Sequence, residues 1–76
     1  MIAVNNLIDS AAALGIEVTI SDFDDIRRQY CFTWEGHSVY VVLSNERKLA
    51  DWLRLEAEDC DVEFRGKLLK LAEFLR

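Results

Sequence analysis

The stretch from Phe32 to Leu43, FTWEGHSVYVVL, constrains the fold of this chain more than any other part of the sequence. Apolar and polar residues alternate on both sides of a Glu-Gly pair, a pattern typical of two half-buried antiparallel strands joined by a tight turn. A register with Thr33 opposite Ser38 collects the large apolar side chains on one face, whereas a three-residue loop would mix the two faces. We therefore predict a two- or four-residue connection in which Gly36 adopts a positive φ. The predicted apolar face consists of Tyr30, Phe32, Trp34, Val39, Val41 and Leu43.

The residues before this hairpin predict one helix and one further strand. Residues 2–14, beginning with Ile2, carry apolar side chains at helical spacing, and Gly15 follows as a helix-ending residue in the left-handed conformation. Residues 16–20 alternate apolar and polar side chains, as expected of a half-buried strand. The aspartates that follow favour a loop, because Asp bonds its own backbone. Together with the hairpin, this strand predicts a three-stranded antiparallel sheet with one strongly apolar face.

Residues 45–76 contain one unbroken row of apolar side chains at helical spacing. A single helix of that length would extend about 48 Å at 1.5 Å per residue, whereas a compact domain of this size is only about 30 Å across. We therefore predict two helices, residues 45–58 and 62–75, capped by Ser44 and Asp61. The alternative is one long helix that pairs with a second copy. The row consists of Leu49, Trp52, Leu53, Ala57, Cys60, Phe64, Leu68, Leu71 and Leu75.

These elements predict a single α+β domain over residues 1–76, with the order α-β-β-β-α-α and helices packed on one face of an antiparallel meander. The 76 residues carry 14 acidic and 9 basic side chains, a net charge of −5. This charge disfavours direct contact with nucleic acid or an anionic membrane and favours a protein partner with a basic surface. No apolar run reaches the roughly 20 residues that span a bilayer, and the first residues lack the basic start of a signal peptide. Two cysteines are too few for a disulfide scaffold, so we expect a cytoplasmic protein with two free thiols.

The sequence provides no recognisable catalytic, metal or cofactor site. His37 is the only histidine, and its position beside Trp34 in the hairpin favours a packing role. Cys31 and Cys60 are 29 residues apart without a CxxC pair, so we interpret both as small buried side chains. The acidic residues from position 59 resemble a calcium loop in spacing, but Phe64 occupies the position that requires glycine. We therefore expect a protein that is not an enzyme and binds no cofactor.

The candidate partner-binding residues are acidic and aromatic. A run of carboxylates between the two C-terminal helices repels itself, and its functional interpretation is a negative surface that meets lysines and arginines. Its alternative is a solvated capping loop. A second acidic cluster follows the first strand, and two aromatic side chains of the hairpin complete the set. The predicted residues are Glu56, Glu58, Asp59, Asp61, Glu63, Asp22, Asp24, Asp25, Trp34 and Tyr40.

In size, charge and lack of catalytic groups, the chain resembles phage-encoded inhibitors of nucleic-acid-handling host proteins, anti-CRISPR proteins among them. This resemblance implies an inhibitor or modulator that occupies the basic surface of its partner, and it carries over no individual residue. The alternative hypothesis is an obligate homodimer or subunit module that uses an apolar helix face. A small-molecule or metal-binding domain is the third hypothesis.

Overall fold

The computed structural model describes residues 4–75 of the chain. It confirms the predicted order α-β-β-β-α-α, with three antiparallel strands in an open sheet of order β1-β2-β3. The start of the predicted first helix, including Ile2, lies outside the described residues. The elements are α1 (Val4–Ala13), β1 (Glu17–Asp22), β2 (Arg28–Trp34), β3 (His37–Leu43), a 3₁₀ turn (Glu46–Lys48), α2 (Leu49–Ala57) and α3 (Val62–Phe74).

The β2–β3 hairpin has the predicted register, in which Thr33 pairs with Ser38. Its connection is the two-residue loop formed by Glu35 and Gly36, whose φ angles are 43° and 83°. Positive φ at both positions defines a type I′ turn, whose backbone twist matches that of the flanking strands. The turn therefore fixes the register that separates the apolar face from the polar face.

Gly15 ends α1 in the predicted manner. Its φ is +79°, and its N–H donates to the carbonyl of Ala12 at 2.9 Å. The N–H of the next residue, Ile16, donates to the carbonyl of Ala11, also at 2.9 Å. These two bonds form a Schellman motif, which satisfies carbonyls that the helix end would leave open. Because Ile16 and Ala11 are both buried, the motif also directs the chain from α1 into β1.

The core lies between the apolar sheet face and the three helices. Tyr30 and Phe32 on β2 are almost fully buried, and the half-buried Val18 and Ile20 on β1 pack against the same core. Cross-strand pairing places Val18 beside Phe32 and Ile20 beside Tyr30. The other side of the core consists of residues from all three helices and the C-cap of α3. It includes most of the predicted C-terminal row, but Cys60 is only partly buried and Trp52 is exposed. The buried residues are Leu7, Ala11, Leu49, Ala50, Leu53, Ala57, Phe64, Leu68, Leu71, Ala72 and Leu75.

The C-terminal row forms two helices, as predicted, and Asp61 caps the second by accepting a hydrogen bond from the N–H of Glu63 at 3.2 Å. Two details of the prediction are wrong. Asn45 rather than Ser44 is the cap, because its side chain accepts from the N–H of Arg47 at 3.0 Å at the start of the 3₁₀ turn. Trp52 is 45% exposed, because the helix turns the smaller Ala50 toward the core instead.

The domain has two ends, which we call the turn end and the loop end. The turn end contains the β2–β3 turn, the start of β1 and the start of α3, since the ring of Phe64 lies 6.1 Å from that of Trp34. The loop end contains the β1–β2 loop, residues 23–27, together with the 3₁₀ turn that follows β3. Because α2 begins beside the loop end and α3 begins at the turn end, the acidic run between them lies at the turn end.

Candidate functional site

The predicted partner-binding residues do not form one surface. Five of them, Glu56 to Glu63, lie around the α2–α3 junction at the turn end, and Trp34 lies in the hairpin at the same end. Three, between Asp22 and Asp25, lie at the loop end. Tyr40 lies midway along β3, where it pairs with Cys31 on the face of the sheet opposite the core.

The junction between α2 and α3 is a short turn in which Glu58, Asp59 and Asp61 are exposed and Glu56 is half-buried. The Sγ of Cys60 donates to the carbonyl of Glu56 at 3.3 Å, and Arg65 donates from Nη2 to the carbonyl of Cys60, also at 3.3 Å. Burial, followed by the negative charges of Glu56 and Asp59, raises the pKa of the Cys60 thiol above its ordinary value. The junction therefore carries a neutral thiol beneath a negatively charged surface.

Carboxylates greatly outnumber basic groups at the turn end. Within the described residues, none of these carboxylates forms an ion pair with a lysine or arginine. Seven carboxylates lie there against two basic side chains, and the rest of the sequence contains equal numbers of acids and bases. The excess at the turn end therefore equals the whole net charge of −5. The carboxylates are those of Glu17, Glu35, Glu56, Glu58, Asp59, Asp61 and Glu63, and the basic groups are those of Arg65 and Lys67.

Aromatic packing holds the turn end together. His37 stacks on Trp34 with ring centroids 6.0 Å apart, and both rings contact Phe64 of α3. The Nζ of Lys67 lies 5.2 Å from the Trp34 ring centre and donates to the carbonyl of Leu14 at 2.9 Å. Trp34 is thus half-buried within the domain, and His37 is a hairpin-tip packing residue, as its position predicted. The cation of Lys67 is held between the carbonyl of Leu14 and the ring of Trp34, and it forms no ion pair with a carboxylate of the described residues.

The loop end balances its charges. Arg27 donates from Nε to Oδ2 of Asp24 at 2.8 Å, and this bond, with a second from the N–H of Ile26, holds the pKa of Asp24 below its ordinary value. Asp24 and its neighbours Asp22 and Asp25 line a shallow groove of about 340 Å³ together with arginines and Glu46. The basic residues at this end are Arg27, Arg28, Arg47 and Lys48, equal in number to the acids Asp22, Asp24, Asp25 and Glu46.

Glu46 illustrates how the loop end uses its carboxylates. It accepts a hydrogen bond from the hydroxyl of Tyr30 at 2.9 Å and lies 3.7 Å from Nη1 of Arg28. Burial, followed by this hydrogen bond, raises the pKa of Tyr30 to about 12. These contacts join the sheet to the turn before α2, so the carboxylate of Glu46 supports the fold.

Several apolar side chains are exposed although the sequence did not predict their exposure. Phe23 and Ile26 of the β1–β2 loop are 51% and 75% exposed, and the guanidinium of Arg27 lies 4.9 Å above the Phe23 ring. On α2, Leu55 and Trp52 lie one helical turn apart, and both are exposed. The helical row predicted burial of Trp52, and no sequence signal separated Phe23 from the polar residues around it.

In the part of the chain that the structure describes, no three His, Cys, Asp or Glu side chains converge where a metal ion could be held. Within residues 4–75, no helix has the length and apolar character needed to cross a membrane. Both Cys31 and Cys60 are free and partly buried.

Comparison of the chain with protein-family models, curated proteins and solved structures finds no match.

Proposed function

We propose that this chain is a non-enzymatic binding domain whose turn end docks on the basic surface of a nucleic-acid-handling protein and so inhibits or modulates that protein. The supporting observation is the concentration of the entire net charge of −5 at one end of a small fold. The partner of such a surface is a protein groove lined by lysines and arginines, in which carboxylates replace phosphates as the counter-charge. The small phage-encoded inhibitors that the chain resembles in size and charge would act in this way.

The difference between the two ends favours the turn end over the loop end as the contact surface. At the loop end, Asp24 and Glu46 already have basic partners within the domain. At the turn end, Asp61 uses one oxygen to cap α3, and its neighbours Glu58, Asp59 and Glu63 are exposed to solvent. Carboxylates that form no ion pair and outnumber the basic groups around them produce the long-range negative potential that attracts a basic protein.

The test uses two variants with the same charge and different locations. The turn-end variant is Glu58→Gln, Asp59→Asn and Asp61→Asn, where Asn at position 61 keeps a competent helix cap. The control variant is Asp9→Asn, Asp22→Asn and Asp25→Asn, which removes the same charge elsewhere and leaves the Asp24 and Glu46 contacts in place.

The wild-type protein is first used to capture partners from a cell lysate at low and high salt, and the captured protein is identified by mass spectrometry. Association rates of that purified partner with the three proteins are then measured between about 50 and 300 mM salt, because exposed charges are screened over about 10 Å at 0.1 M. We expect the turn-end variant to associate roughly tenfold more slowly at low salt and to show a flatter salt dependence. The control variant should follow the wild type closely.

A second measurement addresses the nature of the partner surface. Nucleic acid that the partner binds should compete with the wild-type domain, since both occupy the same basic groove. Coincident salt curves for the turn-end variant and the wild type would refute the proposal. An equal loss of rate in both variants would also refute it, because net charge rather than the turn end would then control association.

A further inference from the structure

The outer edge of β3 is free to accept another strand. In a two-residue hairpin the closing pair, Trp34 and His37, exchanges both backbone hydrogen bonds, and hydrogen-bonded pairs then alternate along the ladder. The backbone groups of Val39 and Val41 therefore point toward β2. Those of the alternate residues, Ser38, Tyr40 and Val42, point away from the sheet. Within residues 4–75, β2 is the only strand that pairs with β3.

The sequence and pairing of β3 lack four features that commonly prevent strand addition. These are proline, lysine, a bulge and very short length. β3 is seven residues long and pairs without interruption, and from Ser38 to Leu43 it carries no charged side chain and no proline. It is also rich in valine, which favours extended pairing.

Helix α2 turns an exposed aromatic side chain toward this edge. When the sheet is viewed from the helical side with β3 running upward, the side chains of Val39 and Val41 face the viewer. In a strand of L-residues, such residues direct their N–H and C=O groups to the right. Strand β2 therefore lies to the right of β3, and the free edge lies to the left. Helix α2 runs downward on the β3 side of the helical layer, with Leu53 and Ala57 facing the core. Because the helix is right-handed, Trp52, the residue before Leu53, then lies on the left flank of the helix, which is the side of the free edge.

We infer that the free edge of β3 binds an extended segment of the partner, in which apolar and basic residues alternate, as a fourth strand. This inference rests on the proposed function, because the acidic turn end supplies the attraction for basic residues. The apolar residues of the segment lie opposite Val39 and Val41 and pack on Trp52. The basic residues lie on the outer face, opposite Tyr40, whose exposed ring offers a cation–π contact. Because β3 starts at the turn end, one segment contacts both the edge and the acidic surface.

The other sheet edge is less suited to this partner. The backbone groups of Val18 and Ile20 point outward there by the same alternation, but β1 contains no aromatic side chain that could contact a bound strand. Helix α1 packs against β1, on the side of the helical layer that lies above this edge. The two edges therefore offer a comparison within one molecule.

The probe is an acetylated and amidated heptapeptide of alternating arginine and valine, added to isotope-labelled protein. Amide hydrogen exchange is measured by NMR. We expect the amides of Ser38, Tyr40 and Val42 to exchange roughly tenfold more slowly with the peptide bound, because their N–H groups then donate hydrogen bonds to carbonyls of the peptide. The amides of Val18 and Ile20 should be unchanged. A control peptide with the same residues in two blocks, arginines then valines, should bind by charge alone and leave all five amides unprotected.

Two single variants test the same edge. Tyr40→Lys places a cation beneath the basic residues of the peptide and should raise the Kd roughly tenfold. Thr19→Lys is the matched control, because Thr19 and Tyr40 are both exposed and pair with Cys31 from opposite edges. It should leave the Kd within about twofold of the wild type, since one added surface charge remote from the peptide has little effect.

Several outcomes overturn the inference. These are protection at Val18 and Ile20 instead of β3, absence of protection at either edge, and equal effects of the two lysine variants. Slow exchange at β3 in the free protein, with a mass twice the 8.8 kDa of the monomer, would show that a second copy occupies the edge. If Tyr40→Lys leaves association with the captured partner unchanged while the turn-end variant slows it, the proposed function stands and the edge-binding inference fails.

Discussion

Glu35 occupies a backbone conformation that glutamate disfavours, and replacing it should stabilise the hairpin. Its φ of +43° lies in the left-handed region, where an ordinary residue incurs about 1–2 kcal/mol of steric strain. Asparagine tolerates this region and is the preferred first residue of a type I′ turn before glycine. The side chain of Glu35 is exposed, so its removal sacrifices no packing. We therefore expect Glu35→Asn to raise the free energy of unfolding by about 0.5–1 kcal/mol.

The charge of Glu35 must be separated from its backbone effect, because the residue belongs to the acidic turn end. Glu35→Gln removes the same charge but keeps a side chain that disfavours positive φ, so the Asn variant should exceed the Gln variant in stability. Urea unfolding at low and high salt measures both, and the expected gain corresponds to roughly 2–8 °C in Tm at 4–8 °C per kcal/mol. Equal stability of the two variants would refute the strain argument and, with it, the type I′ turn that sets the hairpin register.

Three further predictions concern the core, the loop end and the thiols. Leu53→Ala should lower the free energy of unfolding by about 2–5 kcal/mol because it leaves a cavity at a fully buried site. Trp52→Ala should lower it by only about 1–2 kcal/mol because solvent fills the space. Urea unfolding of both variants measures the difference. The pKa of Tyr30 is raised from 10.0 to about 12 in the folded state, so its contribution to stability is present below pH 10 and is lost as the pH rises toward 12. Tyr30→Phe should remove that part of the decline in the unfolding free energy across this range. Thiol titration of the denatured, unreduced protein should count two thiols, and a count of zero would contradict the free cysteines.

The fold could be predicted from the sequence because each element carried a signal that tertiary packing did not override. The alternation around Glu35 and Gly36 allowed one register that kept the apolar side chains together. Gly15 ended a helix that had no other stop signal, and Asp61 divided a row of apolar residues too long for one helix. Trp52 was misplaced because helical spacing alone does not choose between adjacent positions at the edge of an apolar stripe. Ala50, a small side chain on the other flank of the stripe, is buried instead.

The candidate site was predictable in composition but not in arrangement. The sequence showed two acidic clusters, and only the structure places them at opposite ends of the domain. The sequence could not show that Asp24 pairs with Arg27, because residues three apart can either pair with each other or remain separately solvated. The exposure of Trp52 depends on the orientation of α2 over the sheet, and no local pattern encodes that orientation.

The contrast between the two ends favours the proposal that the charge at the turn end does more than keep a small protein soluble. Solubility requires net charge but no particular location for it. Concentrating like charges costs stability through their mutual repulsion, and this chain avoids that cost at the loop end by giving Asp24 and Glu46 basic partners. At the turn end, Arg65 bonds a backbone carbonyl and Lys67 is held against Trp34, so neither forms an ion pair with the acidic junction. A basic partner that supplies the missing positive charge would relieve the repulsion at the moment of binding, and the gain would be largest where the domain itself provides the least compensation.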